Sequence, residues 1–95
     1  MKKYTVKFTN QFKKDYKLAK RRGKKMDLLN SVIELLANGE TLPEKYLDHS
    51  LSGNWVGHRE CHIQPDWLLV YYFEDDTRFL LCIFCVAYAI FIDIF

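Results

Sequence analysis

Two long apolar segments separated by a short polar turn constrain the fold of this chain more than any other feature. Residues 67–73 form an unbroken apolar run, which is typical of a strand buried on both faces of a sheet. The polar residues 74–77 predict a turn, after which residues 79–92 return as the antiparallel neighbour. This second segment has fourteen residues. A membrane-spanning helix needs roughly 20, so we expect no membrane anchor.

The preceding half of the chain predicts one strand and two helices. Residues 4–8 alternate apolar and polar side chains, as a half-buried strand does. Apolar residues then recur at helical spacing in two segments, the first capped at Thr9 or Asn10 and the second at Asp27. With short strands to follow, the order is β-α-α-β-β-β. We therefore expect residues 1–95 to form a single α+β domain, with two N-terminal helices packed on one face of an antiparallel sheet.

Charge is distributed unevenly along the chain. Residues 1–25 carry eleven Lys and Arg against Asp15 alone, whereas residues 26–95 carry three basic and eleven acidic residues. Such a basic segment binds polyanions without sequence preference, although a charge run is more often a solvated helix face. Because its cations repel one another and almost no acidic residues lie among them, we favour a phosphate partner or an acidic protein partner. The residues concerned are Lys13, Lys14, Lys17, Lys20, Arg21, Arg22, Lys24 and Lys25.

The cysteines point to a reduced compartment. There are three, an odd number, and residues 1–4 lead into no apolar signal region, so we expect a cytoplasmic protein. Cys82 and Cys85 have zinc-like spacing, but no second ligand pair accompanies them and their neighbours are apolar, which favours buried thiols. Two histidines and scattered acids also lack a compact ligand set, so we expect no metal.

The residues that could carry chemistry crowd into one stretch of about twenty. His49 and His62 can accept or donate a proton near neutral pH, because the ordinary histidine pKa is about 6.5. Asp66 can accept a proton or orient a histidine, Arg59 offers a fixed fork for phosphate, and Trp67 can stack on an unpaired base. A ribonuclease that uses the 2′-hydroxyl as nucleophile needs these functions.

Each of these residues also has a plainer interpretation. His49 and Asp66 are common in turns, His62 suits a structural role in a strand, Trp67 begins an apolar strand, and His58 is expected at the surface. Taken singly, each is more often structural than functional. Their crowding beside a basic segment makes an RNA-cleaving site as good an interpretation as a structural one.

The same stretch resembles the YafQ-type toxins of the RelE/ParE superfamily, the toxin halves of bacterial type II toxin–antitoxin modules. The resemblance is carried by Asp48-His49-x-Leu51-x-Gly53-x-Trp55 and by Arg59-Glu60-Cys61-His62-Ile63-x-Pro65-Asp66-Trp67-Leu68-Leu69-Val70-Tyr71. It implies a RelE-like fold and an endoribonuclease that enters the ribosomal A site, cleaves the mRNA there, and uses no cofactor. It also implies a cognate antitoxin, contact of the basic face with ribosomal RNA, and contact with DNA only through the toxin–antitoxin complex.

Residue by residue, the resemblance places His49, His62 and Asp66 at catalytic positions and Trp67 beside them. The family usually ends on a motif like Arg-Thr-Gly-Ser/Thr-His-Ser/Ala-Asp-Leu-Phe. Its last phenylalanine, matched here by Phe95, is expected to hold a base.

The C-terminus departs from that motif. Ala87 stands at the arginine position and Phe91 at the position of the histidine that the family is expected to use as general acid. A phenylalanine cannot donate a proton, and losing a general acid costs about 10²–10⁴-fold in rate. The alternatives are a tail altered by a frameshift or rearranged gene end, an attenuated nuclease, an inactive toxin-like module that sequesters antitoxin or binds RNA, or Tyr88 or His62 serving as the acid.

Overall fold

The computed structural model describes residues 3–87, of which residues 86 and 87 are described by their backbone alone. The elements are β1 (Thr5–Phe8), α1 (Asn10–Arg21), α2 (Met26–Ala37), β2 (His49–Ser50), β3 (Arg59–Gln64), β4 (Trp67–Glu74) and β5 (Phe79–Ala87), with single helical turns at Glu44–Tyr46 and Gly53–Trp55. The five strands lie side by side in the order β1-β5-β4-β3-β2.

The predicted α+β fold, with two helices packed against a sheet, is confirmed. The apolar run becomes β4, which pairs antiparallel with β3 on one side and with β5 on the other. One edge differs from the prediction, because β1 pairs with β5 in parallel, from Thr5 opposite Phe79 to Phe8 opposite Cys82. The sheet is therefore mixed rather than wholly antiparallel. Both helices lie between β1 and the other strands in the chain, and a long helical crossover of this kind permits a parallel pair.

The helices begin close to their predicted positions. Thr9 caps α1, since its Oγ1 accepts a hydrogen bond from Phe12 N at 3.0 Å. The cap predicted at Asp27 is wrong: α2 begins at Met26, and its N-cap Lys25 makes no side-chain capping bond. Asp27 instead lies in the first turn, where a carboxylate is favoured by the positive end of the helix dipole.

The two faces of the sheet bury different sets of residues. The helix side forms the main core, which includes Phe12, Leu29, Val32, Cys61, Trp67, Leu69, Tyr71 and Cys82. On the opposite face Leu68, Val70 and Phe84 are buried, with Leu51, Trp55 and Ile83 packed against them. Within residues 3–87, no helix is long and apolar enough to cross a membrane.

Helix α1 also supplies a polar partner to β5. The described part of β1 ends opposite Cys82, so β5 extends beyond its edge partner. Asp15 Oδ2 accepts a hydrogen bond from Cys85 N at 3.2 Å, and the hydroxyl of Thr9 donates to the carbonyl of Ile83. Burial raises the pKa of Asp15, against the opposing effect of hydrogen bonds from Gln11 and Cys85.

Candidate active site

A buried carboxylate joins the two predicted histidines. Strand pairing places His49 opposite Glu60, and His62 follows two positions later on the same face of β3. Glu60 Oε1 lies 3.6 Å from His49 Nε2 and 3.4 Å from His62 Nε2. Glu60 itself is only 5% exposed. The three side chains therefore form one cluster, which we call the His–Glu–His cluster.

Backbone carbonyls fix the tautomer of both rings. His49 Nδ1 lies 2.7 Å from Leu47 O, and His62 Nδ1 lies 3.2 Å from Pro65 O. A carbonyl oxygen can only accept, so each Nδ1 carries a hydrogen, and Nε2 of a neutral ring has only a lone pair. The buried carboxylate of Glu60 consequently has no donor from these rings until a further proton enters the cluster. The arrangement is thus suited to taking up a proton and releasing it.

The surroundings of Glu60 act on its pKa in opposite directions. Burial raises the pKa of Glu60, and this is the larger effect; positive charge on His49 or His62 lowers it. A buried acid held between two bases is the type of environment in which proton-transfer groups are found.

A second network holds His49 in place. Arg59 donates to Asp48 Oδ2 from Nε at 3.2 Å and from Nη2 at 2.9 Å, and its Nη1 donates to Ser50 Oγ at 2.8 Å. The hydroxyl of Tyr71, a residue only 1% exposed, donates to Asp48 Oδ1. Asp48 and Ser50 flank His49 in the chain, so these bonds fix the backbone on both sides of it. The phosphate contact of Arg59 stays a prediction; in the structure its guanidinium is engaged by Asp48 and Ser50 and orients the residues on either side of His49.

Asp66 lies apart from the histidine that it was expected to assist. It occupies the turn between β3 and β4, its side chain is 73% exposed, and its Oδ2 lies 4.0 Å from Lys24 Nζ. Within residues 3–87, no hydrogen bond or ion pair joins Asp66 to His49. The carboxylate that lies beside His49 is that of Glu60.

The base stacking predicted for Trp67 is corrected by its burial, whereas His58 is half-buried. Trp67 is 1% exposed in the main core, with Lys24 Nζ 5.8 Å from its ring centroid, so its faces are not open to a base. The alternation of β4 places it on the helix side of the sheet. His58, expected at the surface, packs 5.3 Å from both Trp55 and Tyr72, measured between ring centroids. Its Nδ1 is buried and has no hydrogen-bond partner in the described part of the chain.

The basic residues form a surface that reaches the site. Lys13, Lys14, Lys17, Lys20, Arg21, Arg22 and Lys25 are exposed, whereas Lys24 is half-buried. The ion pair of Lys24 with Asp66 connects this basic face to the turn beside His62. Phe91 and Phe95 lie outside the described residues, and Ala87 is described only as the backbone partner of Trp67.

The role of Glu60 was not predicted from the sequence, although Glu60 lies in the motif Arg59-Glu60-Cys61-His62. It could have been predicted, because Glu60 and His62 are two positions apart in a strand-like stretch and so share a face. Tyr71 gave no such signal, because its partner Asp48 is distant in sequence.

Comparison with known proteins agrees with the geometry. A family described as "Bacterial toxin of type II toxin-antitoxin system, YafQ" matches residues 4–87. The mRNA interferase toxin YafQ of Escherichia coli K12 is 42% identical over 71 residues, which are 74% of this chain and 77% of that protein. The crystal structure of YafQ from E. coli BL21(DE3) superposes with a TM-score of 0.85 at 36% identity, covering 93% of this chain and 97% of the other.

The toxin in the crystal structure of the E. coli DinJ-YafQ toxin-antitoxin complex is similar too. It gives a TM-score of 0.84 at 36% identity over 93% of this chain and 96% of that one. The fold, the histidine-bearing motif and the family match all agree. The chain therefore belongs to the YafQ family of toxins from bacterial type II toxin–antitoxin systems.

Proposed function

We propose that this toxin is a ribosome-dependent endoribonuclease that cleaves mRNA through its His–Glu–His cluster. The observation that carries the proposal is the position of Glu60 between the Nε2 atoms of His49 and His62. The relatives named mRNA interferase toxins support this reaction class.

The three residues of the cluster have different roles in the proposed reaction. His49, whose side chain is 50% exposed, takes the proton of the ribose 2′-hydroxyl on its Nε2. The 2′-oxygen then attacks phosphorus, the bond to the 5′-oxygen breaks, and a 2′,3′-cyclic phosphate forms. His62, with a side chain 16% exposed, stabilises the extra negative charge in its protonated form. Glu60 lies between the two rings and orients them, the role first considered for Asp66.

Protonation of the leaving 5′-oxygen is the step of the proposed reaction that is slow in this chain. The departing 5′-oxygen needs a proton, and the sequence has Phe91 at the position where the family pattern has a histidine. In this chain water supplies that proton, and the general acid's contribution of about 10²–10⁴-fold in rate is lost. The replacement of arginine by Ala87 removes a cation for the phosphate.

The proposed partners are ribosomal RNA, from the charge of the basic face, and an antitoxin, from the family. The basic face, including Lys17, Lys20 and Arg21, binds ribosomal RNA phosphates without reading sequence. A cognate antitoxin neutralises the toxin, as the DinJ-YafQ complex suggests. The rival function is an inactive toxin-like module that binds antitoxin or RNA, and the specific observation in its favour is Phe91.

The test is cleavage of a translated mRNA in a purified translation system by the native chain and by a Phe91→His/Ala87→Arg variant. If the native chain cuts slowly and the variant has a cleavage rate about 10²-fold higher or more, the result supports an attenuated nuclease. Equal rates contradict the attenuation. Silence from both proteins favours the binding module.

A further inference from the structure

A groove of about 390 Å³ lies directly beside the His–Glu–His cluster. Its walls include Leu28, Tyr46, Leu47, His62, Ile63 and Pro65. β2 pairs with Arg59 and Glu60, so within residues 3–87 no strand pairs with the outer edge of β3 beyond Glu60. The groove lies there, next to the helical turn Glu44–Tyr46. This volume lies within the range of about 300–1,000 Å³ that is common for small-ligand sites.

Two residues that line the groove also orient the rings of His49 and His62. Leu47 supplies the carbonyl that holds His49 Nδ1, and Pro65 supplies the carbonyl that holds His62 Nδ1. The two residues that orient the rings are therefore also walls of the groove. His62 itself is a wall of the groove, so an occupant of the groove contacts one member of the His–Glu–His cluster.

Leu47 ends the helical turn Glu44–Tyr46 and leaves its side chain exposed. Its side chain is 60% exposed, so it gains little from burial. Its backbone is left-handed with φ 49°, and its N–H donates to Glu44 O at 2.9 Å, as at the end of a helical turn. The exposure of the side chain is accounted for if a ligand covers it.

We propose that this groove binds an unpaired nucleobase of the RNA, next to the phosphodiester bond that is cut. The inference rests on the proposed function and adds a subsite to it. Apolar walls from Leu28, Leu47 and Ile63 suit the flat faces of a base, and the ring of Tyr46 adds an aromatic surface. Lys45, whose Nζ lies 5.2 Å from the centroid of that ring, provides a cation for the adjoining phosphate. A purely apolar peptide would have no use for this cation.

The test compares Leu47→Asn with the matched control Val56→Asn. Val56 is also an exposed apolar residue, at 74%, but it lies outside the groove. Asparagine tolerates the left-handed conformation of Leu47, so the fold should be kept. The probes are a single-stranded deoxytrinucleotide, which lacks the 2′-hydroxyl and cannot be cut, and the same strand with an abasic central position. Binding is followed by NMR of the Leu28 and Ile63 methyl groups.

We expect the trinucleotide to shift these methyl resonances, Leu47→Asn to bind it about 10-fold more weakly, and the abasic strand to bind as weakly. Val56→Asn should behave like the native chain. Equal binding of the abasic strand, unchanged affinity in Leu47→Asn, or shifts confined to the basic face would each overturn the subsite. If an acidic peptide with apolar side chains displaces the trinucleotide, and binding does not depend on the base, the nucleobase subsite is also overturned. The groove would then be a site for a protein partner.

Failure of the subsite and failure of the proposed nuclease give different results. If the native chain never cuts mRNA yet binds the trinucleotide through its base, the subsite stands and the nuclease fails. If Leu47→Asn cuts mRNA at the same positions and rate as the native chain, the nuclease stands and the subsite fails.

Discussion

Replacement of Arg59 by lysine tests the network that holds His49. The guanidinium makes three hydrogen bonds, two to Asp48 and one to Ser50, and a lysine ammonium cannot reach all of these positions at once. A hydrogen bond to a charged group contributes about 1.5–3 kcal/mol. The Arg59 side chain is 37% exposed and that of Asp48 23%, so solvent screening reduces the expected loss to about 1–2 kcal/mol in total.

For a domain of 95 residues this loss lowers Tm by roughly 5–10 °C. The assay is thermal unfolding followed by circular dichroism, with Arg78→Lys as control, because Arg78 is exposed in the turn between β4 and β5. The control should leave Tm unchanged. If Arg59→Lys unfolds at the same temperature as the native chain, the Asp48–Arg59 network does not fix β2, and the positioning role is wrong.

Two further predictions concern buried groups. Burial raises the pKa of Asp15, so the folded chain holds that proton more tightly than the unfolded chain, and stability falls as pH rises above the ordinary value of 3.8. Asp15→Asn keeps an acceptor for Cys85 N, and urea unfolding should show the native chain losing stability relative to this variant between pH 3.5 and 7; the opposite trend contradicts the argument. Burial also raises the pKa of Cys82 and of Cys85 to about 12. Ellman's reagent at pH 8 should therefore react with these thiols only as urea unfolds the protein, and rapid reaction in native buffer would refute their burial.

The parts of the fold that could be predicted from sequence are those set by local pattern. The continuous apolar run determines β4, because a strand with neighbours on both sides and covered faces can bury successive residues, as it does from Trp67 to Tyr71. The helical spacing of Phe12 and Ala19 likewise locates the buried face of α1. The parallel pairing of β1 with β5 could not be predicted, because its direction depends on how two helices carry the chain across the sheet.

The candidate site was predictable in its residue types but not in its pairings. The motif located His49 and His62, yet their shared partner is Glu60 rather than Asp66, since strand register decides which carboxylate faces the rings. Arg59 was assigned to phosphate because its partner Asp48 is eleven residues away. Trp67 was assigned to stacking because sequence alone does not state which face of β4 the helices cover.

The most direct test of the account is mRNA cleavage in a purified translation system by the native chain and by a His49→Ala/His62→Ala double variant, with the product ends mapped. The two rings are the only groups within the described residues that bring an imidazole Nε2 to Glu60. We expect slow cutting by the native chain, with 2′,3′-cyclic phosphate ends, and none by the double variant. Equal cutting by both proteins would show that the His–Glu–His cluster does not carry the reaction.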